Sequence, residues 1–357
     1  MYSISSFDKT VLILILLLLP AGAFSQETTT CAENLKNAQN LFDRGQVDQV
    51  PAMLHDCMKS GFTREEELSA YKLLIQSFLF EDKLDMADST MLEFLKKNPE
   101  YQLSPTDHSS FVYLFNKFSV KPLIQLTVHL GTSLPFVTFV DQKTTSGMPV
   151  IGNYSSKALN FYGSLEARYK ISKKLEISLE AGFSQVKFTN TEDLLNLKDT
   201  VFARTTYVET QSRIEVPLTV TYNFKSFGKF TPYTRLGFGP AIIIGSNATA
   251  EQKSTAILGG GSPHAGREVS RTKSRINTDI FVQAGAGLKL KTRGGFISAE
   301  LRLNPGFYNQ VIRGGDAEIE HELATSYSYA DDNFNLNTLN FSFGYTQIFY
   351  KASKKKE

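Results

Sequence analysis

Eight amphipathic segments follow one another through the C-terminal part of the 357-residue chain, each alternating apolar and polar residues as β-strands do. The gaps between them are alternately long and short. This alternation is typical of an up-and-down barrel whose turns are tight at one rim and whose loops are long at the other. The segments are 123–134, 157–170, 175–189, 205–224, 230–244, 275–291, 295–304 and 335–350.

Alternation alone does not say which face of such a barrel meets lipid, because a soluble carrier barrel turns its apolar face inward. Small residues on the polar face favour the opposite arrangement, since the lumen of an eight-stranded barrel has little room. Aromatic residues at the ends of the apolar face, such as Tyr169 and Phe349, are typical of a membrane interface. We therefore predict an eight-stranded antiparallel transmembrane barrel.

Charged residues on the polar face are nearly balanced, with six acids and five bases. Balanced charges suit a lumen that is filled by paired side chains and plugged, whereas an ion path is the less favoured interpretation. The expected lumen network consists of Glu166, Arg168, Glu176, Glu180, Arg213, Glu215, Arg235, Asp279, Lys289, Glu300 and Arg302.

The N-terminus carries an export signal. Val11–Leu19 is apolar throughout, yet too short to cross a hydrocarbon core of about 30 Å as a helix. Small residues follow, so we predict a signal peptide over 1–25. No later apolar run is as long as a spanning helix, so any membrane crossing must be by strands.

Residues 26–120 have a helical period and are predicted to form TPR-like helical hairpins, since two helix pairs repeat at an offset of about 37 residues. Cys31 and Cys57 fall at the adjoining ends of the first hairpin. In an exported protein this pair predicts a disulfide rather than a metal site. The module is therefore all-α and precedes the all-β part of the chain.

Local signals place the other helices of this module. Thr63–Glu66 is a capping box that opens a third helix, and the second helix is expected to run to Met58 with Pro51 in its first turn. Ser104–Asp107 is expected to cap a fifth helix, whose buried stripe extends to Phe118.

Strand parity and the soluble module fix an orientation. With an even strand count both termini fall on the short-turn side, which in bacterial outer membranes is the periplasm. The predicted organisation is a signal peptide over 1–25, a periplasmic helical domain over 26–120, an outer-membrane barrel over 121–350 and a basic periplasmic tail over 351–357.

The barrel resembles the PorT-type outer-membrane barrels of Bacteroidota. Ile214–Tyr222, with Ile-x-x-Pro-Leu in its pattern, is similar to their fourth strand. Pro232–Tyr233 with Gly237–Pro240 is similar to the next strand, and Gly285–Gly287 to the sixth. The resemblance covers Leu123 to the C-terminus and implies an outer-membrane barrel, in a family that includes components of gliding and type IX secretion.

The histidines are candidate catalytic groups, because some small outer-membrane barrels are enzymes. His129 lies on the polar face of the first strand, near Thr127 and Ser133 in sequence. A His–Ser dyad would permit ester hydrolysis, but the sequence places no acid to orient it. A hydrogen-bonded lumen histidine is the favoured interpretation, and no catalytic residue is assigned.

Two loop segments contain partial binding motifs, and a solvated loop is the favoured interpretation of both. Gly259–Gly261 lacks the Lys-Ser/Thr that follows in a phosphate-binding loop. Asp331–Asp332 and Glu318–Glu322 lack the ligand spacing of a calcium site. No cofactor or metal is therefore expected.

We expect a non-enzymatic outer-membrane protein whose partners are outer-membrane lipid and a periplasmic or envelope protein bound through residues 26–120. A small porin or a binder of surface ligands through the long loops is the alternative, and a lipid-modifying enzyme is the second. The net charge of +2, with no basic block, indicates no nucleic-acid partner.

Overall fold

A computed structural model of the protein describes residues 27–141, 143, 150–156, 160–195, 201–254, 264–314 and 317–355. The predicted signal peptide and the glycine-rich motif 259–261 lie outside the described residues. The chain divides into two compact units. The helical unit contains the described residues up to Lys121 and those from Lys351 onward, and the barrel unit spans Pro122–Tyr350.

The helical unit is built from short helices that pack around one apolar core. In chain order they are α1 (Glu27–Asp43), a 3-10 turn (Val47–Gln49), α2 (Val50–Leu54), α3 (Arg64–Phe80), α4 (Leu84–Lys97) and α5 (Ser109–Asn116). The core contains Tyr71, Ile75, Met91, Phe94 and Phe111, all buried. None of the helices among the described residues combines the length and apolar character that a membrane-spanning helix requires.

Two predictions for this unit are confirmed. Cys31 and Cys57 form a disulfide with their Cα atoms 5.6 Å apart. Thr63 caps α3 through a capping box, in which Glu66 N donates to Thr63 Oγ1 at 3.4 Å and Thr63 N donates to Glu66 Oε2 at 2.8 Å. Both the disulfide and the capping box were predicted from the spacing of the residues in the sequence.

Other helix boundaries differ from the prediction. The second helix, α2, ends at Leu54 instead of Met58. The fifth helix is capped by His108 and not by Ser104–Asp107. Asp107 instead accepts hydrogen bonds from Lys72 Nζ at 2.6 Å and Tyr101 Oη at 2.6 Å, which tie the connection between α4 and α5 to α3. Its tertiary partners therefore outweigh its intrinsic preference for a helix cap.

The barrel unit is built on an antiparallel sheet. Its strands are β1 (Phe118–Asp141), β2 (Val150–Ser155), β3 (Asn160–Lys170), β4 (Leu175–Leu195), β5 (Val201–Glu215), β6 (Leu218–Asn223), β7 (Phe230–Ser254), β8 (His264–Ala265), β9 (Val269–Ser270), β10 (Thr278–Thr292), β11 (Gly295–Asn304) and β12 (Asn333–Lys354). Phe118 thus opens β1 and does not continue α5.

The sheet closes on itself. Its order is β10-β11-β12-β1-β3-β4-β5-β7, and β10 pairs with β7, so the first and last strands of this path are neighbours. In the part of the chain that the structure describes, the sheet contains twelve strands rather than the eight predicted. Four strands are additional. β2, β8 and β9 pair with the C-terminal parts of β4 and β7, and β6 is the second part of the predicted fourth strand.

The predicted fourth strand is divided into β5 and β6 at Val216 and Pro217. Proline has no backbone N–H and cannot donate to a ladder. The neighbouring strands still bind across the break, because Val216 N donates to Pro240 O at 3.0 Å and Glu180 N donates to Pro217 O at 3.1 Å. The interruption therefore leaves the wall of the barrel continuous.

Side chains alternate across the barrel wall with the apolar face outward. Leu165 is 64% exposed and Leu236 is 63% exposed, whereas their sequence neighbours Glu166 and Arg235 are buried. This is the reverse of a soluble carrier barrel, whose interior is apolar. The polar residues of the strands must therefore satisfy one another inside the barrel.

The two ends of the barrel differ. At the short-turn end, β3 joins β4 through 171–174 and β10 joins β11 through 293–294. At the long-loop end, β4 and β7 extend well past their predicted ends, to Leu195 and Ser254. The last long segment, predicted as a loop over 305–334, contains a helix that we name α6 (Ala317–Tyr327).

The C-terminal residues belong to the helical unit. β12 continues to Lys354, so the segment 351–357, predicted as a tail, begins as strand. Within the helical unit, Lys354 pairs with Asp88, and Lys355 N donates to Lys117 O at 2.8 Å.

Candidate functional sites in the barrel interior

The guanidinium of Arg235 contacts three carboxylates inside the barrel. Arg235 Nη2 donates to Glu166 Oε1 and to Glu180 Oε2, each at 3.1 Å. Its Nη1 lies 3.3 Å from both carboxylate oxygens of Glu300. These carboxylates come from β3, β4 and β11, so the contacts of Arg235 connect β7 with strands that are not its neighbours.

Further cations complete the charge balance of this group. Arg302 Nη1 donates to Glu180 Oε1 at 2.6 Å, and its guanidinium also contacts Glu300. Arg168 Nη2 donates to Glu166 Oε2 at 2.7 Å. Every carboxylate of the group therefore has at least one buried arginine partner, as a charge removed from water requires.

His129 belongs to this group and is fully buried. Its Nε2 lies 2.8 Å from Glu166 Oε2 and 3.4 Å from Arg168 Nη2. Its Nδ1 has no hydrogen-bond partner among the described residues, so no serine or threonine hydroxyl is hydrogen-bonded to the ring. Glu166 is therefore the acid that contacts His129, although the sequence alone did not identify it. The possible His129–Ser133 dyad is not formed.

The remaining residues of the expected lumen network lie above and below this group. Lys289 Nζ donates to Glu176 Oε2 at 2.7 Å. Arg213 Nη2 lies 3.5 Å from Asp279 Oδ2, while Glu215 accepts from Ser184 Oγ at 2.7 Å. All eleven side chains are buried inside the barrel. Sequence reasoning did not include Tyr162 and Tyr233, which donate to Glu180 and Glu300.

A second charged group, missed by the sequence analysis, lies at the long-loop end. Arg275 Nη2 donates to Glu209 Oε2 at 2.6 Å, and Arg275 Nη1 donates to Asp331 Oδ2 at 2.8 Å. Arg271 also donates to Asp331 through Nη2. Glu209 lies on β5, on the same face as Arg213, and Arg275 lies just before β10, at the start of the predicted strand 275–291. Arg271 and Asp331 lie in the connections after β9 and α6, where no periodicity marks them in the sequence.

A cavity of about 310 Å³ lies beside this second group. Arg271, Asp331 and Tyr329 line one part of it, and Leu323 and Ala324 of α6 line another. Among the described residues, no cluster of three or more His, Cys, Asp or Glu side chains is arranged to hold a metal ion. Asp331, a candidate calcium ligand in the sequence, accepts hydrogen bonds from Arg271 and Arg275.

The sequence profile of the outer membrane protein beta-barrel domain family matches residues 115–310, more than half of the chain. The chain belongs to this family. No curated protein sequence matches it.

Solved structures of outer-membrane barrels align with the chain at low identity. Ail, the attachment invasion locus protein of Yersinia pestis, is 13% identical, with 63% of this chain and 99% of Ail covered and a TM-score of 0.26. OprG of Pseudomonas aeruginosa is 11% identical over 63% of this chain and 96% of its own, with a TM-score of 0.29. The protease OmpT of Escherichia coli is 9% identical over 65% and 95%, with a TM-score of 0.26.

Membership of this family places the protein in the outer membrane. The outward apolar face of the barrel is therefore the surface that contacts lipid. On β4 this face ends at Phe183, because the next outward residues, Gln185 and Lys187, are polar and exposed. Glu192 and Glu209, which lie farther along the wall, are therefore outside the membrane-spanning segments. The β4–β5 register, which pairs Phe188 with Glu209, places both at the long-loop end.

Two carboxyl groups of this end have pKa values shifted in opposite directions. Burial alone would raise the pKa of Glu209, but the charge and hydrogen bonds of Arg275, with those of Ser246 and Gln211, outweigh it and lower the pKa to about 2. Burial, together with the charge of Asp332, raises the pKa of Glu192 to about 8. The same wall therefore holds one strongly ionised and one protonated carboxyl group at neutral pH.

Proposed function

We propose that the protein is a non-enzymatic outer-membrane barrel that holds a helical protein-docking module in the periplasm. In this proposal β5 and β6 form one transmembrane span, which gives eight spans in total. The short-turn end faces the periplasm, as in other bacterial barrels, and residues 26–120 bind a periplasmic or envelope protein. Helix pairs α1–α2 and α3–α4 would then act as TPR-like hairpins.

An exposed apolar patch on the helical unit carries the docking proposal. Phe80, Leu84 and Met86 surround the turn between α3 and α4, and Phe80 is 60% exposed. The Phe80 ring packs edge-on against Phe42 at 5.4 Å and lies 6.3 Å from the His108 ring, so its position is fixed. A fixed, exposed aromatic group is typical of a protein-binding surface.

The wider role proposed is that of a component of an envelope, secretion or gliding machine. Its support is the resemblance of Ile214–Tyr222 to the PorT-type barrels of Bacteroidota. In the structure this segment spans the break between β5 and β6, and Gly237–Pro240 lies on β7 beside it. A docking module fused to a barrel that is filled by ion pairs fits a component of a machine better than a free channel.

Co-purification tests the docking proposal. Tagged full-length protein is cross-linked in intact envelopes, gently solubilised, and its partners are identified by mass spectrometry. We expect a reproducible partner that is lost when Phe80→Ser is combined with Leu84→Ser. Tyr113→Ser is the matched control, because Tyr113 is an exposed apolar residue on α5 outside the patch. An unchanged partner list in the double variant would refute the proposal.

The lipid-modifying enzyme is the weaker alternative. His129 is buried inside the barrel with its Nε2 beside Glu166 Oε2, and no hydroxyl of the described residues is hydrogen-bonded to its ring. We expect His129→Ala to leave the lipid profile of the envelope unchanged. Altered acylation of envelope lipids in this variant, with normal barrel folding, would support the enzyme instead.

A second candidate function, the binding of a surface ligand, is supported by the cavity at the long-loop end. Its volume of about 310 Å³ lies at the lower end of the range for small-molecule sites. It is lined by α6 and by connections between strands, where binding residues are commonly found.

A further inference from the structure

We infer that the cavity at the long-loop end binds a small organic carboxylate with an apolar body. The inference deepens the second candidate function and does not depend on docking by the helical unit. It rests on an incompletely bonded buried arginine, a carboxylate that limits the charge of a ligand, and rigid apolar walls.

Arg271 supplies the recognition group. It is fully buried and lines the cavity, and its Nη2 donates to Asp331. Its Nε and Nη1 have no hydrogen-bond partner among the described residues. Buried donors without acceptors are unfavourable. An anion in the cavity would be attracted to the charge of Arg271, and a small shift of the side chains that cover the guanidinium would bring it to two unpaired donors.

The neighbouring charges restrict that acceptor to a single negative charge. Asp331 accepts from Arg271 and also from both Nη atoms of Arg275. A phosphate dianion at Arg271 would lie beside this carboxylate and be repelled, whereas a carboxylate adds only one charge. The site therefore favours a monoanion over phosphate.

The walls of the cavity favour an apolar body. Leu323, Tyr329 and Val311 line it and are buried. Tyr329 is held in place by stacking on Tyr207, with ring centroids 4.2 Å apart and planes inclined by 9°. A preformed aromatic wall beside one convergent polar group is the usual composition of a small-molecule site.

Arg313 is a second arginine in the lining of the cavity. Lys143 also lines the cavity but pairs with Asp141, so the charges that remain for an anion are those of the two arginines. Positive charge beside a cavity raises the local concentration of anions.

Fluorine NMR on the full chain in nanodiscs tests the inference. The probe is para-trifluoromethylbenzoate, and the matched uncharged probe is para-trifluoromethylbenzamide. We expect saturable binding of the benzoate. Arg271→Gln should weaken it by about tenfold or more, since charge-assisted hydrogen bonds are lost. Ala324→Phe, which fills the cavity, should abolish it, while Arg267→Gln, at an exposed arginine nearby, should leave it unchanged.

Three results would overturn the inference. Absence of saturable benzoate binding to the wild type does so, as does equal binding of the benzamide. Competition by inorganic phosphate would show a phosphate site instead. Ala324→Phe keeps Arg271 and Asp331, so it remains decisive if Arg271→Gln fails to fold. We expect the Phe80→Ser, Leu84→Ser variant to bind the benzoate as the wild type does. The test of the cavity can therefore fail or succeed independently of the test of docking.

Discussion

Arg235 on β7 lies 3.1 Å from Glu166 on β3, although the two strands are not neighbours in the sheet. The contact therefore crosses the interior of the barrel. Neither side chain reaches solvent, so each needs the other to remain charged inside. Arg235 also forms ion pairs with Glu180 and Glu300.

Replacing Arg235 should strongly destabilise the barrel. Arg235→Gln leaves three carboxylates with too few cations, and breaking a buried pair costs about 3–5 kcal/mol. The measurement is the urea midpoint of unfolding in lipid vesicles. Arg204→Gln is the control, because Arg204 pairs with Asp193 on the exposed surface, and we expect its midpoint to be unchanged. Equal midpoints for the two variants would contradict the role given to Arg235.

The barrel should not conduct ions. The charged side chains at its centre are buried, so water does not line a continuous path past them. Planar bilayer recording of the purified full-length protein should show no discrete openings at moderate voltage. Regular conductance steps that persist after repeated purification would favour the porin alternative.

The residues inside the barrel were accessible to sequence reasoning, but their partners were not. Parity places Glu166 and Arg168 on one face of a strand, because side chains alternate. The contact of Glu166 with Arg235 depends on closure of the sheet and on which strands then face each other across the lumen. Neither appears in the local pattern of a strand.

The long-loop end was largely inaccessible to sequence reasoning for a different reason. Arg271 and Asp331 lie in connections, where neither period of two nor of 3.6 applies. Their pairing and the cavity follow from tertiary packing of α6. The break at Pro217, by contrast, was predictable, because proline lacks the N–H that a central strand uses.

Glu192 should make stability depend on pH. Its folded pKa is about 8, whereas an unperturbed glutamate has a pKa of about 4.3. The folded state therefore binds the proton more tightly, and stability falls as pH rises between about 4 and about 8. Glu192→Gln removes this cost, so its thermal midpoint should exceed that of the wild type at pH about 9 and match it at pH about 4.

The control for this experiment is Glu268→Gln, at an exposed glutamate of the same end. We expect the control to follow the wild type at both pH values. A stabilising effect of Glu192→Gln that is as large in acid as in alkali would show that burial of the amide, and not the titration, is responsible.

Loss of the disulfide should lower the stability of the helical unit. Cys31 and Cys57 are separated by 26 residues, and the chain-entropy argument gives about 3 kcal/mol for a loop of this size. The combined variant Cys31→Ser, Cys57→Ser should therefore lose its helical circular dichroism at a lower temperature than the wild type. Reductant should shift the wild type toward the variant and leave the variant unchanged. Superimposable melting curves would contradict this prediction.

Gly344 tests whether the interior is as tightly filled as the charged network requires. Gly344 on β12 pairs with Ser298 on β11, and a Cβ atom added to it would lie 2.7 Å from both His129 Nδ1 and Ser298 Oγ. The His129 ring cannot move aside freely, because it is buried and its Nε2 is held by Glu166. Gly344→Ala should therefore destabilise the barrel by about 1–3 kcal/mol, the usual cost of overpacking. Gly245→Ala on β7 is the matched control, since its added Cβ would meet nothing within 4 Å. Equal urea midpoints for the two variants would contradict the prediction, because they would show that the interior accommodates an extra methyl group.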